Sequence, residues 1–343
     1  MQKVRLGRTN LMVTRTAFGV LPLQRTDADE AIRILRRAYD AGINFFDTAR
    51  GYTDSEEKIG RALSDVRESI IIATKNSGSN RSEVIQHLET SLKHLRADYV
   101  DILQLHNPRA LPNPEDPESA YAGLIEARDK GMARFIGITS HSLERAQAAV
   151  QSGLYDTLQY PLCYLSSPED LAVVDLCAQA DVGLIAMKPL SGGLITNARA
   201  AFAFFRQYEN AVPIWGIQKM EELEEFLKLD ADPPVLDSEM RAVIERDRRE
   251  LGDRFCRACG YCLPCPADIP IPMAARMGLL VKRMPYQQFL SDEWREKMFR
   301  IRDCRDCGSC REKCPYGLNP PALLREMLVE YERFYEEHKS NVG

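Results

Sequence analysis

No stretch of the chain approaches the roughly 18 consecutive apolar residues that a membrane helix needs, so no membrane segment is expected. Met1–Asn10 is polar and holds no apolar secretory core, so a cytoplasmic location is expected. Basic charge is not in surplus. The 45 Lys and Arg stand against 50 Asp and Glu, a formal charge of -5, which gives nucleic-acid binding no footing. The Gly-x-Gly-x-x-Gly loop that opens a dinucleotide-binding Rossmann fold is absent. So are a flavin motif and any low-complexity tract. Cysteine is scarce through the first three quarters of the chain, where only Cys163 and Cys177 occur, and Cys177 reads as core. What remains is a folded chain of 343 residues, 45% hydrophobic and 28% charged. At about 100–200 residues per domain, that length suits one barrel-sized domain plus a small one.

Eight short apolar runs punctuate the first two thirds: Thr16–Val20, Asn44–Asp47, Ile70–Thr74, Asp101–Leu105, Phe135–Thr139, Thr157–Tyr160, Val182–Met187 and Val212–Ile217. Helical patterns follow them, as at Asp27–Ala41, Ser82–Leu95, Leu143–Ser152 and Met220–Lys228. Strands alternating with helices predict parallel βαβ units. Eight units in succession fit an α/β fold of the (β/α)8 TIM-barrel type better than an open sheet. Lys3–Thr14 reads as a hairpin turning near Gly7–Asn10, placed as a plug in the barrel's N-terminal end. Asp230–Pro234 reads as a break. The barrel is therefore expected over 1–235. A linker helix over Ser238–Leu251, a small α domain and a terminal helix capped by Asn319 are expected over 236–343.

The eight remaining cysteines lie in that second part, as two runs. Run one is Cys256-x2-Cys259-x2-Cys262-x2-Cys265-Pro266, and run two is Cys304-x2-Cys307-x2-Cys310-x3-Cys314-Pro315. Run two has the two-cluster ferredoxin spacing, in which the fourth cysteine ligates the other cluster. Three thiolates on one tight loop hold three corners of a cubane; the fourth corner needs a cysteine from another direction. The expectation is one [4Fe–4S] cluster on Cys256, Cys259, Cys262 and Cys314, and a second on Cys304, Cys307, Cys310 and Cys265. Run one departs by one residue from the usual spacing. Structural zinc is the alternative reading of paired cysteines.

Active groups of a βα barrel stand at the C-terminal ends of its strands. Strand two ends in Asp47, with Tyr52 close behind. Strand three ends at Lys75 and strand four at His106. Singly, each reads as a solvated or structural group; together they fit one chemistry. A free tyrosine ionises near 10, too high for neutral pH. The Lys75 ammonium should stabilise its phenolate and lower that value. Asp47 can fix Lys75, and His106 can orient a carbonyl oxygen. Tyr52 would then act as general acid or base for carbonyl reduction or alcohol oxidation.

The residues Asn44-Phe-Phe-Asp47-Thr-Ala-Arg-Gly-Tyr52-Thr-Asp-Ser-Glu-Glu-Lys-Ile-Gly60, then Ala-Thr-Lys75, then Leu-Gln-Leu-His106-Asn, resemble the aldo/keto reductase superfamily. The resemblance runs from the hairpin to about Leu227. The tail resembles the ferredoxin-like domain of that superfamily's iron–sulfur members. The resemblance implies a barrel that binds NADP or NAD in extended form. It matches Thr139, Ser140 and Gln159 to positions that hold the nicotinamide carboxamide. It matches the loop Pro189, Leu190, Ser191, Gly192, Gly193 and Leu194 to the pyrophosphate site. It also places Gln218, with Lys219 beside it, where a basic residue meets the 2′-phosphate. Met187 stands where the family has an aromatic, and Phe226 where it has an amide.

A nicotinamide moves two electrons as hydride and a cubane takes one. The expected activity is a nicotinamide-dependent carbonyl reductase or alcohol dehydrogenase acting on a small molecule. Its clusters are structural, or couple to an electron carrier such as ferredoxin. The alternative is a redox sensor or binding module with little turnover.

Overall fold

The computed structural model describes residues 1–251, 256–257, 260, 262–283, 286–314 and 316–339. It divides into two compact units: Met1–Ser191 with Ile195–Arg241, and the chain from Ala242 onward with Gly192–Leu194.

In the first unit β1 (Lys3–Arg5) and β2 (Met12–Thr14) form an antiparallel hairpin. Eight parallel strands then close a barrel: β3 (Ala17–Gly19), β4 (Phe45–Asp47), β5 (Ile71–Asn76), β6 (Val100–His106), β7 (Ala133–Thr139), β8 (Thr157–Pro161), β9 (Gly183–Met187) and β10 (Ala211–Gly216). Each is followed by a helix: α1 (Ala28–Asp40), α2 (Ser55–Leu63), α3 (Arg81–Leu95), α4 (Ala120–Asp129), α5 (Leu143–Gln151), α6 (Pro168–Gln179), α7 (Ala198–Phe205) and α8 (Met220–Ala231). The eight expected strands are all present, differing at their ends by a few residues.

Helix starts are set by short polar side chains that accept from orphan backbone N–H groups. Asp27, Asn80, Ser119, Ser142 and Asn197 cap in this way, and Ser167 forms a capping box with Asp170. The outer layer is sealed between α7, β10 and α8 by Phe202, Trp215 and Phe226. The Phe202 and Trp215 rings stack at 4.3 Å, and Trp215 and Phe226 at 5.2 Å. Phe226 is thus core, as its apolar character demands.

Alternation along the strands decides what fills the barrel. Phe45, Ile71, Ala73, Ile102, Ile185, Val212 and Ile214 form one apolar cluster with Leu6, Leu11 and Val13 of the hairpin. The hairpin therefore plugs the barrel. Gly7 (φ +50) makes the approach possible, because a Cβ there would lie 2.2 Å from the Gly183 backbone nitrogen. Arg5 and Arg8 tie the plug to the α6–β9 turn through the Asp181 carboxylate and the Ala180 carbonyl. The same inward phase continues upward into polar residues, Asp47 on β4, Lys75 on β5 and Gln104 then His106 on β6.

Helix α9 (Ser238–Leu251) follows as expected. The second unit contains α10 (Ile271–Ala274), α11 (Met277–Arg283), α12 (Asp292–Phe299), α13 (Ser309–Glu312) and α14 (Pro320–His338). The sequence over Met273–Met284 has a helical pattern, but the structure divides it between α10 and α11. It breaks at Ala275–Arg276, where the Arg276 guanidinium takes the Pro272 carbonyl; Met284 lies outside the described residues. Asn319 precedes α14, but its side chain does not cap it. Its Oδ1 accepts instead from Arg311, 2.8 Å away. The amphipathic face of α14 supplies Leu323, Leu324, Leu328 and Tyr331 to a core with Ile269, Ile271, Ala274, Met277, Phe289 and Ile301.

Candidate active site and cysteine cavities

Lys75 and Asp47 are brought together in the barrel interior. Their side chains are 1% and 3% exposed, and Nζ to Oδ1 is 2.6 Å. Lys75 Nζ donates a second bond to the Thr48 carbonyl, also 2.6 Å. Burial alone would lower the Lys75 pKa, but the Asp47 carboxylate and the Tyr52 hydroxyl outweigh it, and the net direction is upward. Burial pushes Asp47 upward, while Lys75, Gln159 and Gln104 pull it back. Gln104 Nε2 donates to Gln159 Oε1 at 3.0 Å, and Gln159 Nε2 to Asp47 Oδ1 at 3.4 Å.

Tyr52 is placed by a turn directly after β4. Its N–H donates to the Ala49 carbonyl, the Ser55 N–H donates to the Tyr52 carbonyl, and the Arg50 N–H anchors the turn on the Lys75 carbonyl. The Thr48 and Ser55 hydroxyls clasp the turn to α2 at 2.7 Å. Lys75 Nζ lies 5.0 Å from the Tyr52 ring centre. Lys75 does act to lower the Tyr52 pKa, as the sequence implies. Burial acts more strongly the other way, helped by Asp47, so the net direction is up. His106 meets Tyr52 edge-on, with ring centres 5.7 Å apart. Burial first, and then Lys75, lower its pKa to about 4, so the imidazole is neutral at neutral pH.

Thr139 ends β7 in register with His106. Its buried Oγ1 has no hydrogen-bond partner among the described residues, nor does Ser191 Oγ. Ser140 Oγ is engaged by the Ser142 backbone. The Gln159 amide is engaged at both ends. Lys188, Ser191, Gly192 and Gly193 all take left-handed φ, from 49° to 91°, around Pro189 and Leu190. Gln218 Oε1 accepts from Arg25 at 2.6 Å, a basic side chain that sequence spacing does not single out. Lys219 is exposed at the start of α8.

The cysteines line two cavities of the second unit. One is lined by Cys262, Cys265, Cys304, Cys307 and Cys310, with Arg305. The other is lined by Cys256, Cys262 and Cys314, with Arg257 and Tyr316. Cys259 lies outside the described residues. Cys265 and Cys262 thus share one lining with run two, and Cys314 shares the other with Cys256 and Cys262. No three Cys, His, Asp or Glu side chains among the described residues converge as ligands of one ion would. The cysteines instead surround a space, which fits a cubane rather than a single tetrahedral zinc.

Comparison with known proteins agrees with this division. Residues 15–203 match the aldo/keto reductase family, and residues 255–318 match a 4Fe-4S dicluster domain. The chain is 32% identical over 211 residues to L-galactose dehydrogenase of Arabidopsis thaliana, spanning 56% of this chain and 66% of that one. It is 31% identical over 206 residues to L-glyceraldehyde 3-phosphate reductase of Escherichia coli (strain K12), spanning 52% and 56%. Its fold matches the aldo-keto reductase AKR11C1 of Bacillus halodurans at a TM-score of 0.62, with 21% identity over 72% of this chain and 96% of that one. The fold and site thus define an oxidoreductase built on a (β/α)8 barrel. The chain belongs to the aldo/keto reductase family and carries a C-terminal 4Fe-4S domain of the ferredoxin type.

Proposed function

We propose that the barrel is a nicotinamide-dependent carbonyl reductase or alcohol dehydrogenase with Tyr52 as its proton donor and acceptor, and that the eight clustered cysteines hold two [4Fe–4S] clusters. The observation that carries the first part is the buried Asp47–Lys75 pair directed at Tyr52 beside a neutral His106. A bound NADPH or NADH would supply the hydride to the carbonyl carbon. The unpartnered Thr139 hydroxyl beside His106 and the left-handed turn over Ser191, Gly192 and Gly193 suit its carboxamide and pyrophosphate. Ser140, Gln159, Leu194, Gln218 and Lys219 complete the residues that would hold it.

His106 orients the carbonyl oxygen of a small substrate. As charge grows on that oxygen, the Tyr52 O–H donates its proton to it. The Lys75 ammonium stabilises the phenolate that remains, and Asp47 and the Thr48 carbonyl hold Lys75 in place. Burial keeps Tyr52 protonated beforehand, which suits an acid. Alcohol oxidation runs the same path backward, with the phenolate accepting the proton. Replacing Tyr52→Phe should lower aldehyde turnover by about 10²–10⁴-fold while leaving nucleotide affinity and iron content unchanged. Unchanged turnover would overturn the reading.

The crossed cavities support two clusters. Anaerobic addition of NADPH tests their role. Bleaching of the visible iron–sulfur absorption would join both units in one redox circuit, served by a carrier such as ferredoxin. An unchanged band would favour structural clusters.

A further inference from the structure

Lys75, Gln104, Gly137 and Thr157 stand in one register row around the barrel wall. Gln104 is wholly buried and Gln159 is 1% exposed. An amide in a barrel interior is unfavourable unless its hydrogen bonds are made. Here the bonds that are made run in one direction, from Gln104 Nε2 to Gln159 Oε1 and from Gln159 Nε2 to Asp47 Oδ1, while Gln104 Oε1 has no partner among the described residues. Gly137 makes the room. A Cβ there would lie 2.1 Å from Thr157 Oγ1 and 3.1 Å from Gln104 Cγ. The amide chain has no path to the nucleotide or carbonyl except through Gln159 and Asp47.

We propose that Gln104 is a positioning residue for the reaction. By donating to Gln159 Oε1 it fixes which end of that amide faces Asp47, keeps a donor on the buried carboxylate, and so holds Lys75 charged beneath Tyr52. This rests on the carbonyl-reductase reading above. Without Gln104 the Gln159 amide is free to flip, turning its oxygen toward Asp47. Two acceptors then face each other and the carboxylate shifts or takes up a proton.

The test uses the full chain with its clusters, NADPH and an aromatic aldehyde, across a pH series. Gln104→Leu should lower kcat by about tenfold, with KM for the aldehyde changed by less than about twofold. Gln104→Glu reports on the donor itself. When protonated, the introduced carboxyl donates to Gln159 Oε1 as the amide does; when ionised it cannot, and it adds charge beside Asp47. The ionisable groups facing this layer are Asp47 and Lys75, with Tyr52 and His106 beyond them, and all are present in the wild type. The Gln104→Glu variant should therefore turn over near the wild-type rate at acid pH and lose activity as pH rises, a limb absent from the wild type. Wild-type kcat and pH profile in the Glu variant would overturn the proposal even if the Leu variant does not fold. So would a change confined to KM or nucleotide Kd. Tyr52→Phe separates the two ideas. If it abolishes turnover while the Gln104 variants behave as wild type, only this proposal fails; if it too is unaffected, the reductase reading fails.

Discussion

Replacing Lys75→Met removes one half of a fully buried ion pair. The isosteric side chain fills the same space, so packing loss is small. Asp47 then keeps a weak bond from Gln159 and loses its charge partner. Breaking a buried pair from one side costs about 3–5 kcal/mol because the remaining charge is uncompensated. Adding Asp47→Asn removes that charge, so the double variant should regain most of the loss, a coupling of about 2–3 kcal/mol. Turnover should behave differently, because neither variant can stabilise the Tyr52 phenolate and both should be nearly inactive. The assay is urea unfolding followed by Trp215 fluorescence in a Trp294→Phe background, which reports the barrel alone. A double variant no more stable than Lys75→Met would refute the electrostatic account. Full turnover in either would refute the assignment of Lys75 to the reaction.

Three further outcomes follow from the geometry. The His106 imidazole titrates at about 4 in the fold, against an ordinary 6.5. Between those values the unfolded chain binds the extra proton, so stability falls as pH drops; the difference is about 3 kcal/mol and His106→Asn should abolish it in paired denaturation curves. Gly7→Ala forces a Cβ onto the Gly183 backbone at a left-handed φ. It should destabilise the barrel by about 3 kcal/mol in the same fluorescence assay without changing iron content. Cys304→Ser should reduce iron in the reconstituted protein from about eight to about four atoms per chain, measured by iron analysis, with the aldehyde reductase rate retained.

Much of this was legible in the sequence because strand alternation is a strict rule. Once β4, β5 and β6 are recognised, period two puts Asp47, Lys75 and His106 on the same inward face, and the Tyr52 turn follows from its nearness to Asp47. The same rule also points to Gln104, two residues before His106. It escapes notice because Leu103 and Leu105 make the strand read as apolar. The direction of the Tyr52 pKa was not legible. Spacing reveals the lysine beside it but not the burial that outweighs that lysine. Nor was the Arg25–Gln218 contact, which joins residues far apart in the chain. The break before Met277 depends on one arginine reaching back to a carbonyl, a choice that helical periodicity does not encode.

With the fourth cysteines exchanged as proposed, the two cavities become linked rings. Cys265 leaves run one to close the space of run two, and Cys314 does the reverse, while Cys262 borders both. Neither ring can be completed by one run alone. On that assignment a chain emerging from the ribosome lacks a full set for the run-two space until residue 310 has been made, and for the run-one space until residue 314 has been made. On the proposed ligation, a truncation anywhere between the runs should leave neither set of four complete, although half of the eight cysteines would still be present. Loading is in this sense a late event, gated for each space by the cysteines of run two.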